Sequence, residues 1–187
     1  MIRSDFQCKI MTRNGYGKYH IVRECHLPNK YAGEAQYSIA NYRSEIKQHL
    51  KAGKALREYY GPTNIPFITF DFDCGKSSID TLSTKMFEYI EYLRLERHIP
   101  SEYLRIYFSG YKGFHLEIPS KIFGIKPEYK LETKIRELVN LLTAGLPIRE
   151  YVDWQVYVPH RLIRLSNSIH PKSKQYKIPI TIDDLRV

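Results

Sequence analysis

The order of apolar segments behind residue 64 limits the fold of this 187-residue chain more than any other feature. Residues 65–73 form a short run rich in aromatic and branched residues, and turn-forming residues precede it, which predicts a buried strand. A helix is predicted next, with Ser77 or Ser78 as its N-cap and Pro100 behind its end. Its buried stripe is predicted from apolar residues at helical spacing, namely Leu82, Met86, Ile90 and Leu93.

Four further segments extend this alternation. Residues 104–109 and 114–118 predict two strands, and the short glycine-containing turn between them favours an antiparallel hairpin. Residues 131–142 carry apolar residues at helical spacing, and residues 151–158 and 176–182 predict two more strands. The order strand, helix, strand, strand, helix, strand is the split βαβ arrangement of ferredoxin-like and RNA-recognition-type folds. The predicted class is therefore α+β, with helices on one face of an antiparallel sheet and the other face open.

A small α/β module is predicted in residues 1–64, in front of the RNA-recognition-type module that spans residues 65–187 of the same single domain. In this module, residues 18–25 predict a strand and residues 42–60 predict a helical segment with apolar residues on one side. Gly53 argues against an unbroken helix there.

Charge narrows the class of partner. The chain has 29 Lys and Arg against 20 Asp and Glu, a formal charge of +9, which favours nucleic acid over an anionic membrane as the partner. No apolar run is long enough to cross a bilayer, and the first residues lack the apolar stretch of a secretion signal. We therefore expect a soluble, cytoplasmic protein.

The three cysteines are an odd number without close pairing, which indicates reduced thiols rather than a disulfide framework. A zinc site is the alternative, but adjacent Cys25 and His26 do not have the spacing of a paired zinc knuckle. Its ligands would be Cys8, His20, Cys25 and His26.

Two acids at the end of the first predicted strand indicate chemistry on the open face. Side chains alternate along a strand, so Asp71 and Asp73 point together while Phe70 and Phe72 point to the helices. Two carboxylates held this close repel one another unless a cation lies between them. Oxygen ligands suit Mg²⁺ or Mn²⁺, and paired ions of this kind stabilise phosphoryl transfer. An isolated Asp-x-Asp pair is also typical of a solvated strand edge or a capping turn.

Asp153 lies between hydrophobic residues on a predicted strand of the same sheet, where a third carboxylate would complete the metal shell. The turn at residues 109–115 combines two glycines, a hydroxyl, Lys112 and His115, and can present N–H groups and cations to phosphate. An ordinary glycine hairpin is the alternative for that turn.

A basic run at residues 161–172 is the second phosphate-binding candidate. Its apolar residues would anchor the segment to the core while polar and charged residues reach outward. Arg offers bidentate phosphate contacts and Lys a point charge, so the mixture fits a triphosphate, with a solvated basic loop as the alternative. The outward residues are Arg164, Ser168, His170 and Lys172.

Together these segments resemble the archaeo-eukaryotic primase superfamily in content and order, from about residue 65 to the C-terminus. That family has an Asp-apolar-Asp motif, a small-x-His motif and an acid after an apolar residue. The matching segments are Asp71-Phe72-Asp73, Gly113-Phe114-His115 and Val152-Asp153. The small catalytic subunit of replicative primases is similar in its glycine turn and in a basic residue before Ser-x-His-Pro-Lys, here Arg164 and residues 168–172.

The resemblance implies a DNA primase or primase-polymerase that joins ribo- or deoxyribonucleoside triphosphates to a primer strand on a single-stranded DNA template. It implies two Mg²⁺ or Mn²⁺ ions held by Asp71, Asp73 and Asp153, with the primer hydroxyl attacking the α-phosphate and expelling pyrophosphate. The residues implied in nucleotide binding are Ser109, Lys112, His115, Arg164, Ser168, His170 and Lys172. The zinc-binding insertion of the replicative subunit is not found, which favours a minimal, plasmid, viral or bacterial enzyme. Because the sequence ends soon after the predicted strand at residues 176–182, we expect a core excised from a parent with a helicase or priming domain.

Two other functions stay open from the sequence. One is an end-joining or gap-filling repair polymerase of the same superfamily, which would use the same site. The other is a non-catalytic RNA-recognition-type module, although its sheet would present aromatic residues rather than aspartates. One side of the first helix is predicted to contact the template, through Arg43, Lys47, Lys51 and Lys54. An ordinary solvated helix face is the alternative. Among 16 tyrosines, Tyr59, Tyr60 and Tyr111 offer surfaces for base stacking.

Overall fold

The computed structural model describes residues 5–13, 19–28, 31–158 and 160–186. Within these ranges the strands are β1 (Cys8–Arg13), β2 (His20–Arg23), β3 (Ala35–Ser38), β4 (Asn41–Tyr42), β5 (Thr63–Asn64), β6 (Phe67–Asp73), β7 (Arg105–Phe108), β8 (Gly113–Pro119), β9 (Leu162–Arg164) and β10 (Ile178–Ile180). The α-helices of the same ranges are α1 (Ile46–Lys51), α2 (Ile79–Leu95) and α3 (Leu131–Thr143).

The strands form two antiparallel sheets. The first has the order β5-β4-β1-β3-β9, with β2 also paired to β1, and the second has the order β10-β7-β8-β6. The register of the second sheet sets Asp71 and Tyr107 opposite His115, on either side of β8, and sets Asp73 opposite Gly113. The second sheet therefore gathers the acids of β6 and the imidazole of β8 at one end.

The predicted hydrophobic patterns of β6 and α2 are confirmed. Phe70 and Phe72 are fully buried, and so is the α2 stripe of Leu82, Met86, Ile90 and Leu93. Burying one such side chain contributes about 1.5–3 kcal/mol, so this layer is a main source of stability. The side chain of Ser78 accepts a hydrogen bond from the Thr81 N–H at 3.0 Å, which is the N-cap that the sequence predicts.

The predicted strand at residues 151–158 is wrong. The segment folds into two short 3-10 helices, Pro147–Tyr151 and Trp154–Tyr157. It pairs with β6 through one bridge between Val152 and Phe72, and the Tyr157 hydroxyl donates to the Thr69 carbonyl oxygen at 3.0 Å. The Asp153 carboxylate accepts from the Gln155 N–H at 2.9 Å, which turns the chain away from the sheet. The RNA-recognition-type arrangement is therefore not confirmed, because a single bridge replaces its fourth strand.

The predicted helix at residues 42–60 is also too long. α1 covers only Ile46–Lys51, since Tyr42 belongs to β4 and the backbone at Gly53 adopts a φ of +74°. Such a left-handed residue ends a helix, so the doubt raised by Gly53 is confirmed. The strand predicted at residues 18–25 is shorter as well, because β2 begins at His20.

Residues before and after position 64 share one hydrophobic core, which includes Ile10 and Ile46 as well as Phe70 and Leu116. β9 pairs with β3, so a strand from the second half of the chain completes the first sheet. A boundary near residue 64 stays a prediction. No helix of the described ranges is long and apolar enough to cross a bilayer.

Candidate active site

The open face of β6 and β8 forms one wall of a cavity of about 170 Å³, and β9 with its neighbouring loops forms the other. Seven of the predicted site residues line it, namely Asp71, Asp73, Ser109, Lys112, His115, Arg164 and His170. The strand alternation explains the sheet members of this set, since residues 71 and 73 of β6 and residue 115 of β8 all face the same side. The structure therefore brings the acidic and basic candidates together.

Asp71 is the most perturbed carboxylate of the cavity. The Asp153 N–H donates to the Asp71 carbonyl oxygen at 2.8 Å, which sets the two acids side by side at the edge of the sheet. Burial raises the pKa of Asp71 to about 6, and the charge of Asp153 adds to the increase, while Lys177 and Arg161 act against it. A cation at this place would relieve the strain between the carboxylates.

His115 lies beside Asp71 as a neutral imidazole. Its Nε2 is 3.4 Å from Asp71 Oδ1, and its side chain is buried. Burial holds the pKa of His115 well below its usual range, and the charges of Lys177 and Arg164 lower it further. Its Nδ1 has no hydrogen-bond partner among the described residues, so one polar atom of the site stays available.

Asp73 is paired with the glycine turn. Its Oδ1 accepts from Lys112 Nζ at 3.0 Å and from the Gly75 N–H at 2.8 Å, and about half of its side chain is exposed. The hydrogen bond and charge of Asp73 raise the pKa of Lys112. Exposed ion pairs contribute little free energy, so Lys112 can exchange Asp73 for a phosphate at small cost.

Two glycines of that turn are required by close contacts. A Cβ on Gly113 would lie 2.1 Å from the Phe72 carbonyl oxygen. Gly110 has a φ of +88°, and a Cβ there would lie 3.0 Å from the Gln175 carbonyl oxygen. The turn thus packs between β6 and the C-terminal segment, and the Ser173 hydroxyl donates to the Gly110 carbonyl oxygen.

The basic run supplies Arg164 and His170. Arg164 Nη1 donates to the Ser109 carbonyl oxygen at 2.6 Å, which ties β9 to the glycine turn. His170 Nδ1 accepts from the backbone N–H groups of Lys172 and Ser173, so the neutral ring carries its proton on Nε2. Burial lowers the pKa of His170, as do the charges of Arg164 and Lys172.

Three predicted residues lie outside the described lining of the cavity. Ser168 is fully buried, and its hydroxyl donates to the carbonyl oxygens of Leu165 and Ala35 at 2.7 and 3.2 Å, so it shapes the loop. The Lys172 side chain is exposed, and only its N–H contacts His170. Asp153 is partly exposed and reaches the site through its contact with Asp71.

The structure also brings in residues that sequence reasoning missed. Gln36 of β3 and Arg161 line the cavity, and Arg161 lowers the pKa of Asp71. The position of Arg161 in the basic run was a signal, whereas nothing in the sequence marks Gln36. Lys177 is only 1% exposed, although it lies in a polar stretch that indicates solvent exposure.

The residues predicted for template contact lie apart from the cavity. Lys47, Lys51 and Lys54 are exposed on α1 and just behind it, and the Arg43 guanidinium lies 4.9 Å from the centre of the Phe6 ring. The zinc ligand set is not brought together. Because Cys8 pairs with Arg23, His20 lies three positions along β2, about 10 Å away.

The residues that would hold metal ions are Asp71, Asp73 and Asp153. Their carboxylate oxygens fit a hard divalent cation, and the pKa of Asp71 is raised first by burial and then by the charge of Asp153. Across the described ranges, no three His, Cys, Asp or Glu side chains already stand as a metal-binding group, and the Asp73 carboxylate is paired with Lys112.

Neither a family model nor a curated protein matches the sequence. Among solved structures, the polymerase domain of ligase D from Mycobacterium tuberculosis, in complex with DNA, is similar with a TM-score of 0.54. The sequences are 11% identical, and the match covers 97% of this chain and 77% of that chain. This chain therefore has the mixed α/β fold of a polymerase domain.

Proposed function

We propose that this chain is a DNA-directed nucleotidyltransferase, a primase-polymerase that extends a strand on a single-stranded DNA template. The observation that carries the proposal is the meeting of Asp71, Asp153 and neutral His115 beside a basic loop, at one end of the second sheet. The polymerase-domain fold supports the same reading.

The described residues divide the work of such a reaction. Asp71, Asp73 and Asp153 would hold two Mg²⁺ or Mn²⁺ ions, which lower the pKa of the attacking hydroxyl and stabilise charge on the α-phosphate. His170 donates its Nε2 proton to a phosphate oxygen, since its Nδ1 is occupied by backbone donors. Lys112 moves from Asp73 to the triphosphate, so that carboxylate and phosphate both receive a positive partner.

Arg164 is arranged to bind the triphosphate from the first sheet. One of its guanidinium nitrogens is fixed on the Ser109 carbonyl oxygen, and its Nε has no partner among the described residues. A guanidinium held at one end keeps its other donors in a defined direction, which reduces the entropy lost when phosphate binds. Arg161 and His115 line the same cavity and complete its polar wall.

A gap-filling repair polymerase is the second candidate, favoured by the similarity to the ligase D polymerase domain. Both candidates use one metal and triphosphate site, so they differ in the DNA substrate. Comparing an unprimed single strand, a primed template and a short gap, each with ribo- and deoxyribonucleotides, separates them. Product on the unprimed strand favours the primase, and product on the gap alone favours repair.

The central test is primer extension with Mg²⁺ or Mn²⁺ by Asp71→Asn and Asp73→Asn variants. We expect each to lose about 100-fold or more of the rate, since removing a metal ligand costs several kcal/mol of transition-state stabilisation. Asp71→Asn should unfold no more easily than the wild type, because burial already disfavours the Asp71 charge.

Asp183→Asn is the matched control, because Asp183 is an exposed acid paired only with Arg186 at 3.5 Å. It should extend primers at the wild-type rate. If a folded variant carrying both Asp71→Asn and Asp73→Asn still extends primers, the metal assignment is refuted.

A further inference from the structure

Two large aromatic side chains lie in solvent on one edge of the molecule. Tyr60 is 81% exposed and Tyr129 is 67% exposed. Neither ring stacks on another ring or makes a hydrogen bond within the described part of the chain. Single exposed aromatics are ordinary, but two neighbouring ones indicate a surface with a partner.

The backbone brings the two tyrosines together. Thr63 and Glu128 form an antiparallel bridge through two hydrogen bonds of 3.0 and 3.1 Å. One further step of this register sets Tyr129 opposite Pro62, which is two residues, or about 7 Å, from Tyr60. The Ser120 N–H donates to the Pro66 carbonyl oxygen at 3.0 Å, which continues the β6–β8 ladder by one step and fixes the base of both segments.

Both tyrosines stand on fixed turns. Tyr59 is buried beneath Tyr60, and its ring meets Tyr42 edge to face at 5.5 Å. Gly61 lies directly on the Tyr59 ring, since a Cβ there would be 2.2 Å from the Tyr59 hydroxyl oxygen. Tyr129 is held between the Glu128 bridge and α3, whose first residue Leu131 is fully buried. The backbone that carries both rings is therefore ordered before a ligand contacts them.

The charge around the two rings is positive. The acids of the two segments are Glu58, which accepts from the Ala55 N–H at 3.0 Å, and Glu128, which pairs with Lys134 at 2.8 Å. The exposed cations of the same segments are Lys51, Lys54, Arg57, Lys121, Lys126 and Lys130. Aromatic faces within a basic field are the features by which proteins bind single-stranded nucleic acid without sequence preference.

This surface is separate from the catalytic cavity. It adjoins the Phe67 end of β6, whereas Asp71 and Asp73 lie towards the other end of that strand. Along β6, Phe67 is about 13 Å from Asp71 and about 20 Å from Asp73, so the two tyrosines stand away from the acids of the cavity.

We propose that Tyr60 and Tyr129 form a stacking platform on which this protein holds single-stranded DNA outside its catalytic cavity. Bases stack on the two rings, and the surrounding lysines contact the phosphates. The choice of DNA as the ligand rests on the proposed function. The platform itself rests on the exposure of the two rings, the Thr63–Glu128 bridge and the surrounding lysines and arginine. Stacking tolerates any sequence because every base has a π-face.

The test is fluorescence anisotropy with a labelled single-stranded DNA oligonucleotide and the full chain. Tyr60→Ala with Tyr129→Ala should weaken binding about tenfold or more, and Tyr60→Phe with Tyr129→Phe should bind as the wild type because the rings remain. Leu141→Ala is the matched control, because Leu141 is also 67% exposed but lies on α3 outside this surface. It should bind normally.

Replacing Lys54 and Lys126 by Gln should weaken binding and flatten its dependence on salt: the slope of log K against log salt should fall by about 1.4 if both lysines contact phosphates of a single strand. Unchanged DNA affinity in the double alanine variant refutes the platform, as does a loss that affects only duplex DNA or only RNA. Binding is measured without turnover, so the two proposals can fail separately. If the wild-type chain does not extend primers but the double alanine variant still loses DNA affinity, the proposed polymerase function is refuted and the platform is supported.

Discussion

Replacing Lys177 by Met should reduce both stability and nucleotide binding, by separable routes. Lys177 Nζ lies 3.2 Å from the Arg164 carbonyl oxygen and 3.8 Å from Glu117 Oε1. Its ammonium is 4.6 Å from the centre of the Tyr107 ring, and its side chain is 1% exposed. This lysine therefore supports β9 from behind and compensates a buried carboxylate.

The stability loss follows from Glu117, which is 5% exposed and would lose its nearest cation. Removing one partner of a buried ion pair costs about 3–5 kcal/mol. Lys9 is the matched comparison, since it is 2% exposed and donates to the carbonyl oxygens of Ser38 and Ile39 at 2.8 Å. Lys9 also lies in the field of Glu24 and Glu117, but neither carboxylate is within ion-pair distance of it, so we expect Lys9→Met to lose less than Lys177→Met, about 2 kcal/mol or less.

Nucleotide binding should fall because Lys177 fixes the backbone of Arg164. Losing one hydrogen bond of about 0.5–1.5 kcal/mol raises the nucleotide KM about 2- to 12-fold if Arg164 moves away from the triphosphate. The double variant Lys177→Met with Glu117→Gln removes the unpaired charge, so it should recover most of the stability but keep the raised KM. Lys9→Met should leave KM unchanged.

Urea unfolding and primer extension at varied nucleotide concentration measure the two effects. If Lys177→Met is no less stable than Lys9→Met, Glu117 does not depend on Lys177. If the double variant regains the wild-type KM, Lys177 acts through charge rather than through the Arg164 backbone, and the positioning role is refuted.

Two further predictions concern pH and the glycine turn. Burial lowers the pKa of Lys9 and of Lys177 from 10.5 to about 8, so between these values the unfolded chain binds more protons than the folded one. The free energy of unfolding should therefore rise by about 2–3 kcal/mol per lysine from pH 8 to pH 10, until tyrosines of the unfolded chain ionise. Urea unfolding between pH 8 and pH 10 measures this rise. A free energy of unfolding that stays constant over this range, in the wild type and in Lys9→Met alike, would contradict the prediction. Gly113→Ala should abolish primer extension, because its Cβ would lie 2.1 Å from the Phe72 carbonyl oxygen and push β8 away from the β6 acids. Gly124→Ala, which meets no atom within 4 Å, should keep activity and lose about 1 kcal/mol from its φ of +66°; equal activity of the two variants would contradict this account.

Local patterns determined much of the second sheet. The alternation of β6, the stripe of α2, the hairpin of β7 and β8, and the Ser78 cap were all predicted, because neighbouring residues set strand faces, helix faces and caps. The same rule placed Asp71, Asp73 and His115 on one face. These elements carry most of the acidic half of the site.

Pairing partners were decided by the tertiary structure. Residues 151–158 alternate as a strand would, but a strand needs a neighbour along its length, and here one bridge and the Asp153 cap take its place. The short strands β1, β3, β4 and β5 were missed, because two to six residues give too little period to detect. β9 joins β3 across more than a hundred residues, which local periodicity does not encode.

The sequence by itself determined which residues are chemically able to act: the acids of β6, Asp153, the glycine turn and the basic run. Only the tertiary structure decided which of them meet. It turned the Ser168 hydroxyl to backbone carbonyls, brought Gln36 to the cavity from the first sheet, and buried Lys177 between two sheets. The physical reason is that burial and electrostatic coupling depend on distances between segments remote in sequence, whereas propensity and side-chain alternation act between neighbours.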